Sequence, residues 1–182
     1  FKPDVVITDF DFHGQLVSRM YHIPIVSIDN NQLLRFAQLQ THLEDFIDYE
    51  ISAVVARMMA PHADYYFITT FVPATLRNTA KEGTVFFIPP LLRKKIIDQK
   101  PTVGDHILVY QTSDSYQDLL SVLARSGLKY VVYNCRKQLE NPSLTYKEFS
   151  EESFITDLAS AKAVIVNGGF TAISESLYYG KP

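Results

Sequence analysis

The strongest constraint on this chain is an alternation of two hydrophobic periods that stops and then restarts. In the first half, "DVVITDF" (4–10), "IPIVSIDN" (23–30), "ADYYFITTF" (63–71) and "TVFFIPP" (84–90) are β-branched or aromatic runs. A run apolar at consecutive positions has no face for water, so each reads as a buried strand of a parallel sheet. Between them lie helical patterns. "HGQLVSRMYH" is one. The other, "THLEDFIDYEISAVVARMM", opens with Thr41 and Glu44 at capping-box spacing. Leu43, Phe46, Ile47, Ile51, Val54, Val55 and Met58 then fall on one helical stripe, and Pro61 ends the pattern.

From residue 89 the composition changes to "PPLLRKKIIDQKPTVGD", with three prolines and a basic cluster. This reads as a linker over 89–104. The alternation then resumes. "HILVYQT" (106–112), "KYVVYN" (129–134), "LTYKEF" (144–149) and "KAVIVNGG" read as strands. "SYQDLLSVLARSG" reads as a helix capped by Ser115 and stopped by Gly127. "EESFITDLASA" carries acids in its first turn, and "TAISESLYYG" ends at Gly180. Two α/β units with mainly parallel sheets follow, over 1–88 and 105–182.

Composition narrows the function classes. The net charge of −3 offers no global attraction for nucleic acid. Arg57, His62 and Asp64 interrupt the best apolar run, so no membrane-spanning stretch is read. The single cysteine, Cys135, rules out an internal disulfide and suits a reducing, cytoplasmic setting. His22, His42, His62 and His106 have no convergent metal spacing. The chain opens without Met and ends on Gly-Lys-Pro, as expected of an internal piece of a longer protein.

Ligands of open α/β sheets sit beyond the carboxyl ends of the strands. Gly168 and Gly169 lie at such an end, directly before a helix. Unpaired N–H groups and the helix dipole favour an anion there. Thr171 can cap the helix or donate to a phosphate. Glu175, one turn on, is placed as an exposed carboxylate able to accept from a ribose diol. The plainer reading is a tight strand-to-helix turn with Glu175 on a solvated face. "DFDFH" forms a second cluster, with Asp9, Asp11 and His13 on one side of an extended strand. Asp11 is read first as a helix cap, and Asp29, Asn30 and Asn31 as a turn, with bonding to an acceptor as the alternative. Arg93, Lys94 and Lys95 read as solvated surface.

The stretch "FITDLASAKAVIVNGGFTAISESLYYGKP" resembles the nucleotide-sugar segment of GT-B glycosyltransferases, most closely the glycosyltransferase family 28 C-terminal domain. Phe154, Leu158, Ala163 to Val166, Gly168, Gly169, Thr171, Glu175, Gly180 and Pro182 carry the likeness. "KPDVVITDFDFHGQLVSRMYHIPIVSIDNNQ" is similar to the last strands of a GT-B N-terminal domain. The resemblance implies two Rossmann-like units facing a cleft, both incomplete here. It implies transfer of a sugar from a nucleotide diphospho-sugar, by default a UDP-sugar, to an acceptor hydroxyl with inversion and no bound metal or other cofactor. Gly168, Gly169 and Thr171 would line the diphosphate, and Glu175 would hold the ribose. Gln111, Thr112 and Ser113 would close over phosphates or sugar, while Phe149 and Ser150 would border the base. Asp11 and His13 would be the catalytic candidates on the acceptor side, although the base of such enzymes commonly lies on an earlier loop. The acceptor, a glycan or lipid-linked group among the options, is left open, and the chain alone is expected to be inactive. The alternatives are an enzyme resembling UDP-N-acetylglucosamine 2-epimerase and a non-catalytic nucleotide-binding module.

Overall fold

The computed structural model describes residues 3–40, 42–78, 82–111, 117–136 and 138–182. The chain divides into two compact units, Phe1–Pro90 and Leu91–Pro182. In the first, β1 (Val6–Thr8), β2 (Ile25–Asp29), β3 (Tyr65–Thr69) and β4 (Val85–Ile88) form a parallel sheet in chain order. Helices α1 (Phe12–Tyr21), α2 (Leu33–Phe36) and α3 (Phe46–Met59) connect them. The strands are shorter than their apolar runs because turn chemistry ends them early. After β1, Phe10 enters the left-handed region at φ 50° and Asp11 caps α1. The Asp11 carboxylate accepts from the Gly14 N–H at 2.6 Å. The cap reading of Asp11 is therefore what the structure shows.

Helix α3 departs from its sequence pattern. Thr41 of the capping box lies outside the described residues. A 3-10 turn, Leu43–Asp45, leads into the helix, and Asp45 at the cap position makes no side-chain cap bond. Phe46, Ile47, Ile51, Val54, Val55 and Met58 are exposed. Ala56 is the buried residue of the helix, and the buried Gln32 amide donates to its carbonyl at 3.1 Å. Tyr49 likewise ties α3 to α2 through the Leu34 carbonyl, at 2.8 Å. Periodicity reports that a face is apolar; it does not report what covers that face. The first unit's core gathers Tyr66, Ile68 and Val85 with Leu33, Phe36, Leu76 and Phe87 packed against them.

The second unit has strands β5 (His106–Tyr110), β6 (Lys129–Tyr133), β7 (Leu144–Lys147) and β8 (Ala163–Val166). They form a second parallel sheet in the order β7-β6-β5-β8. The helices are α4 (Lys94–Asp98), α5 (Gln117–Arg125), α6 (Glu151–Ser160) and α7 (Phe170–Tyr178). Both sheet faces are covered, as consecutive apolar positions require. One face packs Leu108, Val131 and Tyr133 against Phe154, Ile155 and Leu158 of α6 and Ile96 of α4. The other packs Val109, Tyr130, Val132 and Leu144 against Leu120 and Leu123 of α5. Helix α6 is capped by Ser150, which accepts from the Ser153 N–H, a role the sequence reading did not give it; Ser115 lies outside the described residues.

Part of the stretch read as a linker is built into this second core. Ile96 is fully buried, and its carbonyl accepts from the Tyr179 hydroxyl at 3.0 Å. Thr102 and Gly104 donate their N–H groups to the Ala159 and Ser160 carbonyls. The prolines mark where regular structure pauses, while "KKIID" between them still forms a packed turn of helix.

Two tests follow from this packing. Leu158→Ala should cost about 2–5 kcal/mol in urea unfolding, because the site is fully enclosed. Val54→Ala, on the exposed face of α3, should stay within about 0.5 kcal/mol. Asp11 gives a pH test. The Gly14 N–H first, then His13, holds its carboxyl below the ordinary range. A depressed carboxyl contributes stability above its unfolded pKa, and loses it as pH falls through the folded value. Asp11→Asn still caps, so it should match wild type near pH 7 and lose less stability on acidification below about 4.

Candidate nucleotide site

The order β7-β6-β5-β8 fixes where a crevice opens. From β5 the chain steps outward through β6 to β7, then returns past β5 to lay down β8 on its other side. The connections leaving β5 and β8 therefore diverge, and a gap opens at their carboxyl ends. Gln111 leaves β5 there, and Gly168 and Gly169 leave β8 there. The two glycines have different reasons. Gly168 has φ +83°, a conformation that disfavours any side chain. Gly169, the N-cap of α7, has φ −63° and ψ 121°, which any residue adopts. A Cβ built on Gly169 would meet no heavy atom within 4 Å. The tight-turn reading thus accounts for Gly168, while Gly169 answers to no backbone angle and no crowding, only to the modest preference for glycine at an N-cap. No side chain caps α7.

Beside this turn is a cavity of about 220 Å³ lined by Arg93, Tyr110, Phe149, Phe154, Thr171, Ala172 and Glu175. Thr171 is exposed, on the second residue of α7, so it is not the cap. Phe149 is 52% exposed. Its ring rests 5.5 Å from that of Phe154 and 5.9 Å from that of Tyr110. An exposed ring held against the buried Phe154 and the half-buried Tyr110 is a preformed stacking surface. Ser150 next to it is occupied in capping α6. Gln111 is buried, and its carbonyl accepts from Asn134 Nδ2 at 3.0 Å. Thr112 and Ser113 lie outside the described residues.

Glu175 is not the exposed carboxylate of the sequence reading: it is 1% exposed. A charge that deep needs a partner, and Arg93 provides a two-pronged one. Its Nε reaches Oε1 at 2.7 Å and its Nη2 reaches Oε2 at 2.9 Å. Arg93 Nη1 also donates to Glu151 Oε1 at 2.9 Å, and Lys95 Nζ donates to the other Glu151 oxygen at 2.6 Å. The pair with Glu175, above all, raises the Arg93 guanidinium still further, so it stays charged. The Lys95 ammonium, and then Arg93, holds the Glu151 carboxyl below its usual range. Arg93 was hidden in the sequence as one cation of a basic run, 82 positions from its partner. The available signal was indirect: a carboxylate on a helix otherwise lined by small buried residues implies a cation from elsewhere.

The first unit carries the other cluster. His13 Nδ1 lies 3.1 Å from Asp11 Oδ1, with the His13 side chain 90% exposed. Asp9 is exposed at the end of β1, its carboxyl raised by partial burial and then by Asp29. Asp29 is buried and accepts from the Ser27 hydroxyl at 2.8 Å and the Gln32 N–H at 3.0 Å, so it builds the turn. A cavity of about 360 Å³ in this unit, lined by Phe12, Leu16, Ile25 and Pro61 among others, has neither a paired buried charge nor a glycine turn. Among the described residues, no three His, Cys, Asp or Glu side chains converge as metal ligands would. Nor is any helix among them long and apolar enough to cross a membrane.

Comparison with known proteins bears on the family and the fold. Two curated relatives, uncharacterized glycosyltransferases of Methanosarcina mazei and Methanosarcina acetivorans, are each 24% identical over the whole chain. The chain spans about half of their length, 53% of each. Among solved structures, UGT89C1 of Arabidopsis thaliana, complexed with UDP, matches 99% of the chain at TM-score 0.57 and 13% identity, using 52% of its own length. The calicheamicin glycosyltransferase CalG4 matches 99% at TM-score 0.53 and 16% identity, using 54% of its length. These two share the fold, so the GT-B likeness read from the sequence holds. The sequence profile of glycosyl transferase family 1 matches residues 1–182 throughout, and the chain belongs to that family.

Proposed function

We propose that this chain carries the donor site of a glycosyltransferase that moves a sugar from a nucleoside diphosphate to an acceptor hydroxyl. The observation that carries the reading is Gly169, a glycine with ordinary backbone angles and open space above it, at an N-terminus that no side chain caps. Its lack of a side chain leaves room for a ligand to approach the backbone. The first-turn N–H groups of α7 and the Thr171 hydroxyl would hold the diphosphate. The half-exposed Phe149 ring would stack on the base, and Glu175 would accept from the ribose. UDP is the natural first nucleotide to try, since UGT89C1 was solved with it.

In the reaction, the acceptor oxygen forms a bond to the anomeric carbon as the bond from that carbon to the diphosphate oxygen breaks. Negative charge builds on the departing diphosphate, where the positive end of α7 stabilises it. The acceptor proton must go to a base. His13, held by Asp11, is our candidate for it, with Asp11 as the orienting partner. Attack from the face opposite the leaving group inverts the anomeric centre, and no step requires a metal.

Gly169→Ala tests the donor site. The change adds one methyl group into empty space, so it should cost under about 1 kcal/mol of stability. It should nonetheless weaken UDP binding about ten- to a hundredfold, as loss of hydrogen bonds to a charged group does. Calorimetry with the folded variant decides it: unchanged UDP affinity rejects a diphosphate at this turn. His13→Ala tests the base, in the protein extended to the length of its relatives. UDP release should fall about 10²–10⁴-fold with UDP affinity unchanged. Turnover within twofold of wild type would move the base elsewhere.

A further inference from the structure

We propose that Arg93 is a specificity-determining positioning residue, holding Glu175 so that the pocket selects ribonucleotides over 2′-deoxyribonucleotides. This rests on the donor-site reading above. A carboxylate has about four lone-pair positions on its two oxygens. Arg93 takes one on each, through a side-on fork from Nε and Nη2. That leaves each oxygen one acceptor position, and it fixes the plane of the carboxylate relative to α7. Two acceptors at fixed spacing match the two hydroxyls of a vicinal diol. A 2′-deoxyribose can satisfy one of them. The other would be left beside a carboxylate already withdrawn from water, since Glu175 is 1% exposed.

The fork is itself immobilised. Glu151 holds Arg93 Nη1, and Lys95 holds the second oxygen of Glu151. Both cations of the clamp are met by carboxylates, Arg93 by Glu175 and Glu151, and Lys95 by Glu151 and, at 4.0 Å, Glu152. A free arginine at this place would attract the diphosphate and pull the nucleotide out of register. A compensated one leaves the diphosphate to the helix end and reserves Glu175 for the sugar. The anchoring extends to the backbone, because Arg93 occupies the N-cap position of α4 and the buried Ile96 pins that helix into the core. Without Arg93 the carboxylate would be an uncompensated buried charge, and the simplest relief is for the side chain to turn toward water. The diol partner would then be lost even though Glu175 is still present.

The experiment is calorimetry of this 182-residue chain with UDP and with 2′-deoxy-UDP. Wild type should prefer UDP about tenfold or more, the worth of one hydrogen bond to a charged group. Arg93→Gln should bring the ratio close to one, because UDP loses two hydrogen bonds to Glu175 and the deoxy compound only one. Arg93→Lys, which keeps the charge and loses the fork, should give an intermediate ratio of roughly threefold. A merely structural role would weaken both nucleotides together and leave the ratio at its wild-type value. That result in Arg93→Lys overturns the proposal, even should Arg93→Gln fail to fold. Equal binding of the two nucleotides by wild type also overturns it, while leaving the donor site standing. No binding of UDP at all by wild type overturns both.

Discussion

Everything assigned to the second unit depends on the pairing of one strand. β5 is hydrogen-bonded on both edges, to β6 on one side and β8 on the other. Because the chain reaches those neighbours in opposite directions, their connections part at the carboxyl edge and leave a gap. The helix that follows β8 must start at that gap, with its N-terminal amides facing it. A single reversal of strand order thus sets the position of the glycine turn, the polarity of the helix end and the opening beside Phe149. Reordering the same strands sequentially, as in the first unit, would close the gap.

Most of the architecture was legible because parallel strands advertise themselves. Runs such as "YVVY" in β6 are apolar on both faces, and the fold buries both. The cap of α1 was legible because one side chain, Asp11, does the work; that of α6, Ser150, was not read as a cap. The limits are equally physical. The apolar stripe of α3 was read correctly as a stripe, yet six of its residues are exposed, since local periodicity does not encode the partner surface. The linker reading of 89–104 followed proline content and missed that Ile96 and Thr102 are fastened to the second core.

The candidate site divides in the same way. Gly168, Gly169, Thr171 and Glu175 were legible because they sit within eight residues of one another, on one turn and one helix. Arg93 was not, because an ion pair across 82 positions has no signature in a single sequence. The consequence is larger than one residue. Glu175 was placed as a free, exposed carboxylate, and the structure places it buried and held. Such a group recognises ligands through geometry more than through charge, because its charge is already met. In the proposed donor site the helix end would supply the attraction for an anion, and the clamped carboxylate the shape.

The most direct test is an amide NMR titration of the 182-residue chain with UDP. If the second unit binds a nucleoside diphosphate at its strand-to-helix turn, shift changes will concentrate at Gly168, Gly169 and Thr171. They will extend to Glu175 and to the ring protons of Phe149, while the backbone of α1 and α3 stays still. Inorganic phosphate should reproduce the changes at the turn and not those at Phe149. Shifts confined to the first unit, or none at millimolar UDP, would contradict the assignment of the donor site.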